Sequence, residues 1–217
     1  MQRSLVLTVR HRAAACLLAG GFILSAGAQP TLNGCRIAAG TICAEAHLSG
    51  AHLRDADLAR SNLARAMLDG ADLRGANLRN ANLRRAKLDG ARLDGAMLAN
   101  ADLHGADLGR ASLHGARLAD ADLQDADLRQ ADLRDAVLRG ARLQGANLEG
   151  AKFSGTDLRR ANLAAAELRG VQLGNADLRG ANLENADLRD ADVSSARIDA
   201  STVWRNARMS GCTGCPQ

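Results

Sequence analysis

The chain has 217 residues and is 47% hydrophobic, yet it contains only two Phe, one Trp and no Tyr. Globular domains of this size fill their cores with mixed aliphatic and aromatic side chains, whereas the apolar residues here are mostly Ala and Leu. Aromatic cages for cations and stacking platforms for single-stranded nucleic acid need several rings, so the composition excludes both. The formal net charge of +4 suggests an anionic partner, but its meaning depends on where the basic residues lie.

The amino terminus, residues 1–28, has the three-part plan of a secretory signal. Three arginines lie among the first twelve residues, an apolar stretch continues to Leu24, and Ala26 and Ala28 precede a cleavage point before Gln29. The apolar stretch has about 12–16 residues, fewer than the ~20 of a membrane-spanning helix, so an uncleaved anchor and a lipid-modified Cys16 are the weaker alternatives. We therefore predict a periplasmic or extracellular protein with no transmembrane helix after cleavage.

Removing the signal changes the charge of the chain. The signal carries three of the 28 basic residues and none of the 24 acidic ones, which leaves 25 basic and 24 acidic residues in the mature protein. Strong phosphate binding requires a concentrated positive field, so nucleic acid is not an expected partner.

Four cysteines remain after cleavage, with Cys35 and Cys43 before the main body and Cys212 and Cys215 after it. An even number of cysteines in an exported protein favours disulfides. Of the three pairings, the local one, 35 with 43 and 212 with 215, needs no long-range closure. Zinc binding by all four sulfurs is disfavoured because the two pairs lie at opposite ends of the repeats. The Cys212-Thr-Gly-Cys215 spacing also occurs in thioredoxin-like redox motifs, but those need a βαβ unit, which this sequence does not predict.

Between Ala46 and Arg205 the sequence repeats every five residues without an insertion, as in Ala71-Asp72-Leu73-Arg74-Gly75. Leu occupies 28 of the 32 repeat centres, Ala stands two residues before 28 of them, and Asp or Asn stands between in 17 repeats. Such regularity is typical of a solenoid.

The five-residue period excludes a regular helix and a flat strand. Successive centres would rotate by ~140° on a helix and would alternate between the two faces of a strand. A coil that bends once per repeat places every Leu and Ala inside. The last position of each repeat supports this bend, because 13 of 32 are Gly and nine are Asn or Asp, which tolerate positive φ.

Uninterrupted Ala-(Asp/Asn)-Leu-X-X repeats resemble those of the pentapeptide repeat family. The resemblance implies an all-β, right-handed quadrilateral β-helix with four repeats per turn, in which the central Leu and the preceding small residue pack inside. The 160 residues of repeats would form about eight coils, a prism about 38 Å long. Leu73 and Leu103 exemplify the core, and Phe153 is its one large residue.

The ends of such a prism need covering because they expose unpaired backbone and apolar interior. We predict an N-terminal cap at 29–45, the β-helix at 46–205, and a C-terminal cap or tail at 206–217. Trp204, at the last repeat, either covers the final coil or forms a dimer contact, since gyrase-directed family members pair through their C-terminal ends. The expected state is a monomer or an end-to-end dimer.

The four-sided arrangement disfavours catalysis. His104 and His114, ten residues apart, fall on opposite faces, whereas Asp107 and Asp127 stack but lie on a convex surface. The Asp side chains are instead expected to accept hydrogen bonds from nearby backbone. We predict no catalytic residue, metal or cofactor, and hence no enzyme.

One face carries a net charge of +3 and aligns Arg79, Arg139, Arg159 and Arg179, with Asp157 and Asp177 beside them. This arginine stripe is a candidate surface for an anionic partner, although ion pairing along it is also expected.

The predicted function is therefore a non-enzymatic exported scaffold that presents flat β-helix faces to an unknown protein or envelope component. The resemblance implies an alternative, a DNA-mimicking protein that interacts with DNA gyrase. The balanced charge, the absence of loop insertions and the export signal all disfavour that alternative.

Overall fold

The structure, a computed structural model, describes residues 31–216. The predicted signal and its cleavage point lie outside the described residues. Among residues 31–216, no helix is both long and apolar enough to cross a bilayer.

The described chain forms the right-handed quadrilateral β-helix that the resemblance implies. The residue before each repeat centre pairs in parallel with the residue 20 positions later, from Ile42 with Asn62 through to Asp177 with Arg197. We call each such pair a rung, and we call residues that occupy the same place on successive coils a column. A spacing of 20 residues means four repeats per coil, which confirms the predicted turn.

The centres and the small residues before them line a narrow interior. Leu73, Leu103 and Phe153 are all 0% exposed, as are most of the other centres. Neighbouring coils lie slightly farther apart at Phe153: its N–H donates to the carbonyl of Gln172 at 3.1 Å, compared with 2.7 Å for Leu143 to Asn162. The larger ring therefore lengthens the ladder locally without breaking it.

The corners of the prism lie at the fifth residue of the repeats, which has a positive φ in every repeat from Gly50 to Asp190. Among non-glycine residues at this place φ lies between 54° and 60°, and Ala165, at 57°, shows that the conformation is imposed even on a residue that disfavours it. The frequency of Gly, Asn and Asp at this position therefore follows from the bend, as predicted.

Asp and Asn before the repeat centre stabilise the same bend. At all 17 of these positions the side-chain oxygen accepts the backbone N–H of the residue two places later, as Asp107 does from Gly109 and Asn82 does from Arg84, both at 3.1 Å. These N–H groups point outward at the turn, so the side chain supplies the acceptor that the ladder does not. The expected backbone role of the Asp side chains is confirmed.

A short hairpin covers the N-terminal end. Strand β1, Thr31–Leu32, pairs antiparallel with strand β2, Cys35–Arg36. A disulfide joins Cys35 to the buried Cys43 in the first coil. The first rung begins at Ile42, so the coils start inside the segment predicted as a cap.

At the C-terminal end the prediction of an uninterrupted repeat is wrong by one residue. Asn182 pairs with Val203, which is 21 residues later, so the last coil contains an additional residue after Ile198. Val203, predicted to be a centre, lies outside and is 41% exposed, and the half-buried Trp204 takes the inward place. The Thr202 hydroxyl fixes this register by donating to the carbonyl of Leu178 at 3.0 Å.

The coils continue beyond Arg205 to a last rung at Thr213, so most of the predicted tail belongs to the β-helix. Trp204 and Met209 pack against the core from within this last coil. Ile198, also predicted to be a buried centre, is 41% exposed because no further coil covers it. Cys212 and Cys215 form a disulfide in the same segment.

Candidate anion-binding cleft

Every Asp-Leu-Arg segment of the described chain forms the same local ion pair. The Asp and the Arg both point outward on either side of one buried Leu, which brings the guanidinium within hydrogen-bond distance of both carboxylate oxygens. The six arginines that pair in this way are Arg74, Arg129, Arg134, Arg159, Arg179 and Arg189.

Two members of the predicted arginine stripe, Arg159 and Arg179, belong to this set. Each Nη2 donates to its own Asp, 157 or 177, at 2.6 Å, and Arg159 Nε also lies 3.8 Å from Asp177. The hydrogen bond from Arg159 is the main cause that lowers the pKa of Asp157, and Arg179 acts in the same way on Asp177. Both carboxylates therefore remain ionised and hold the guanidinium groups in place.

Arg139 differs from its neighbours because Val137 stands where the other two arginines have Asp. Within residues 31–216, Arg139 forms no salt bridge, although its charge contributes to the lowered pKa of Asp157 one coil away. Of these three arginines, Arg159 and Arg179 are each paired with a carboxylate, whereas Arg139 has no salt bridge within the described residues.

These arginines line a shallow surface cleft of about 320 Å³, together with Arg160, Gly180, Asp199 and Ser201. We call it the arginine cleft. Arg160 lies at a corner with φ 58°, and its Cγ is 3.4 Å from the point where a Cβ on Gly180 would lie. Since Gly180 has no side chain, the Arg160 stem can lie across the corner into the cleft. Among the described residues, Arg160 has no salt-bridge partner.

One wall of the arginine cleft is acidic. The Ser201 hydroxyl donates to Asp199 Oδ1 at 2.5 Å, and the Ser201 backbone N–H donates to the same oxygen at 3.0 Å. The hydroxyl bond is the main cause that lowers the pKa of Asp199, so this carboxylate remains ionised and partly offsets the four arginines.

The fourth residue of the predicted stripe, Arg79, lies in the same column but outside the arginine cleft. Ala99 and Ala119 occupy the two intervening coils, so Arg79 lies about 14 Å below Arg139 at the usual spacing of neighbouring strands. Sequence reasoning also missed Arg160, because a corner residue belongs to a different column and reaches the cleft only across Gly180.

A second cleft, of about 420 Å³, lies on the opposite face. Its charges are almost fully paired: Arg110 with Asp89, and Arg129 with Asp127. Asp107 is the remaining carboxylate in its lining, and its Oδ1 accepts the N–H of Gly109. This cleft therefore offers an incoming ligand little uncompensated charge.

The other predicted surface residues lie where the four-repeat coil places them. His104 is 4.0 Å from Asp125 and His114 is 3.8 Å from Asp135, each pair on a separate face. Within residues 31–216, no group of three or more His, Cys, Asp or Glu side chains is arranged to hold a metal ion.

Comparison with known families agrees with this architecture. The family model of pentapeptide repeats matches the chain with eight copies. The matched residues fall in the overlapping ranges 41–80, 76–115, 116–155, 141–180, 156–194 and 166–205. The chain belongs to the pentapeptide repeat family. No curated protein sequence matches it.

Solved pentapeptide repeat proteins are similar to this one. HetL from Nostoc sp. strain PCC 7120, involved in heterocyst differentiation regulation, is 32% identical over 82% of this chain and 85% of its own, with a TM-score of 0.36. The Nostoc protein alr5209 is 35% identical over 48% and 84%, with a TM-score of 0.40. QnrB1, a plasmid-mediated fluoroquinolone resistance protein, is 22% identical in a trypsin-treated variant form, over 72% and 80%, with a TM-score of 0.38.

Proposed function

We propose that this pentapeptide repeat protein is an exported, non-enzymatic scaffold that presents rigid β-helix faces to a partner in the cell envelope or outside the cell. The observation that carries the proposal is the continuity of the ladder, whose parallel rungs run in every repeat from Ile42 to Thr213. Side chains on each face therefore stand at fixed positions, about one strand spacing apart.

The outward side chains are also held in defined orientations. Local Asp-Leu-Arg ion pairs and backbone caps fix the carboxylates and guanidinium groups before any partner arrives. A surface that is already ordered loses less conformational entropy on binding, which favours a binding role. The surface clefts described above are shallow and lined by charged groups, as suits recognition of a complementary surface.

The first test concerns export. We expect the chain in an envelope or extracellular fraction, with Gln29 as the first residue on N-terminal sequencing. Full-length protein that starts at Met1 and remains in the cytosol would contradict this part of the proposal.

The second test asks whether binding depends on one face. The mature protein is immobilised and exposed to an envelope fraction, beside a triple alanine variant at positions 139, 159 and 179. The matched control is a triple alanine variant of Arg129, Arg169 and Arg189, which occupy the corresponding column of the opposite face. A scaffold should lose a partner in one variant and retain it in the other, whereas equal losses in both would argue against face-specific recognition.

Interaction with DNA gyrase is the alternative that the family resemblance raised. A DNA-like surface requires uncompensated acidic charge, whereas many Asp residues here pair with Arg, as Asp122 does with Arg142. We expect the purified mature protein to leave gyrase supercoiling unchanged. Inhibition of supercoiling, or protection from a gyrase-directed drug, would favour the alternative.

A further inference from the structure

We propose that the arginine cleft binds a phosphate group, carried either by a free small molecule or by an anionic lipid headgroup. The inference rests on the proposed scaffold function and names the ligand chemistry of one of its faces. It depends on three features of the cleft: an arginine without its carboxylate, a second arginine at the corner, and two arginines that are already oriented.

The first feature is Val137, which stands two residues before Arg139, where Arg159 and Arg179 each have an Asp. In every Asp-Leu-Arg segment of residues 31–216 the Asp neutralises its Arg, but the segment Val137-Leu138-Arg139 cannot form this pair. The guanidinium of Arg139 therefore lines the cleft beside Arg159 without a salt bridge of its own within the described residues. A guanidinium without a local carboxylate keeps its N–H donors available to an anion from outside.

The second feature is Arg160 beside Gly180. The Arg160 side chain crosses the corner above a residue that has no Cβ, and it brings a second guanidinium without a salt bridge, within the described residues, to the same cleft. A phosphate monoester carries a charge of about −1.5 to −2 at neutral pH. Two uncompensated guanidinium groups therefore match the charge of one phosphate group.

The third feature is the orientation of Arg159 and Arg179. A guanidinium has five N–H donors, and each Asp occupies the donors on Nε and Nη2. The remaining donors face away from the Asp and are held in a fixed plane. Guanidinium groups held in this way match the tetrahedral oxygens of a phosphate, which Arg recognises through paired hydrogen bonds.

Two carboxylates limit the strength of the site. Asp199 forms part of the cleft wall, and the carboxylate of Asp120 lies over the Cα of Gly140 at the corner below. The positive surplus is therefore modest, and binding should weaken as salt screens it.

The sharpest test restores the missing carboxylate instead of removing an arginine. Titration of the mature protein with inorganic phosphate, by calorimetry at low salt and pH 7.5, should show one site per chain. Val137→Asp should pair with Arg139 and weaken phosphate binding by at least tenfold. The matched control, Val137→Asn, supplies the same backbone cap without the charge and should retain binding. Both variants carry a residue common at this repeat position, so both should fold, which circular dichroism will check.

A second pair of variants tests the location of the site. Arg160→Ala should weaken binding as Val137→Asp does, whereas Arg79→Ala, in the same column but outside the cleft, should not. Vesicles containing phosphatidic acid, compared with neutral vesicles, form the other arm of the experiment. If the protein binds phosphatidic acid vesicles but not inorganic phosphate, and Val137→Asp abolishes vesicle binding, a lipid headgroup is the source of the phosphate.

Either of two results would overturn the inference. One is the absence of binding to both inorganic phosphate and phosphatidic acid vesicles. The other is equal weakening by Arg79→Ala and Arg160→Ala, which would indicate general surface charge. Neither result would affect the scaffold proposal, which depends on export and on face-dependent capture of a partner.

Discussion

Replacement of Leu103 by Ala tests how much stability one core position contributes. Leu103 is 0% exposed and lies between Leu83 and Leu123 of the same column. Its backbone N–H donates to the carbonyl of Asp122 at 2.7 Å, and its carbonyl accepts the N–H of Ala106 at 2.9 Å. Because these bonds hold the coil open, the walls cannot collapse into the space left by the three lost carbons. We expect a loss of about 3 kcal/mol in the free energy of unfolding.

The assay is urea denaturation of the oxidised mature protein, followed by circular dichroism for the whole ladder. Fluorescence of Trp204, the single Trp, reports the last coil separately. His104→Ala is the control, because this neighbouring residue points outward and should change stability by less than about 0.5 kcal/mol. Leu103→Asp should abolish the cooperative transition of the central coils, since it buries an unpaired carboxylate. A cost below about 1 kcal/mol for Leu103→Ala would refute the reasoning.

Three other predictions concern the corners, the ion pairs and the disulfides. Ala165→Gly should raise stability by about 1 kcal/mol, since Ala165 has φ 57°, whereas Ala164→Gly should lower it; equal effects in thermal melts would contradict the corner assignment. The pKa of Asp187 is lowered to about 2, mainly by its hydrogen bond with Arg189, so its ionised form stabilises the fold above pH 4 and this contribution disappears as pH falls towards 2. Because water reaches Arg189 and Arg208, we expect Asp187→Asn to cost about 1 kcal/mol at pH 7. In urea denaturation this cost should shrink as the pH falls through 2 and vanish below it. Peptide mapping without reductant should find the two local disulfides, Cys35–Cys43 and Cys212–Cys215. A disulfide between the two ends of the chain would contradict this pairing.

The interior and the bends could be predicted because each repeat specifies them independently. The four-repeat turn, by contrast, came from the resemblance, although the corners contain a signal for it. Four of the five corner Asp residues are followed 20 residues later by Gly, and the fifth, Asp190, is followed by Gly211 after 21 because the additional residue lies between them. In each pair the carboxylate lies where a Cβ on that Gly would project. The four pairs separated by 20 residues are Asp55–Gly75, Asp120–Gly140, Asp125–Gly145 and Asp135–Gly155.

The register of the last coil could not be predicted because two readings fit the sequence equally well. Ser201 and Val203 match the small and apolar positions of a repeat, and so do Thr202 and Trp204 one residue later. Hydrogen bonds to the coil below select the second reading, in which Val203 donates to the carbonyl of Ala181 and Thr202 donates to that of Leu178.

The sequence by itself determined which residues face inward, where the chain bends, and that arginines recur on one face. These properties repeat with the five-residue unit and depend on each residue's own size, polarity and tolerance of positive φ. Only the tertiary structure decided that Arg139 and Arg160 share a cleft, that Arg79 does not, and that Trp204 replaces Val203 inside. Those relations depend on backbone pairing between coils 20 or 21 residues apart, a distance along the chain that no single repeat encodes.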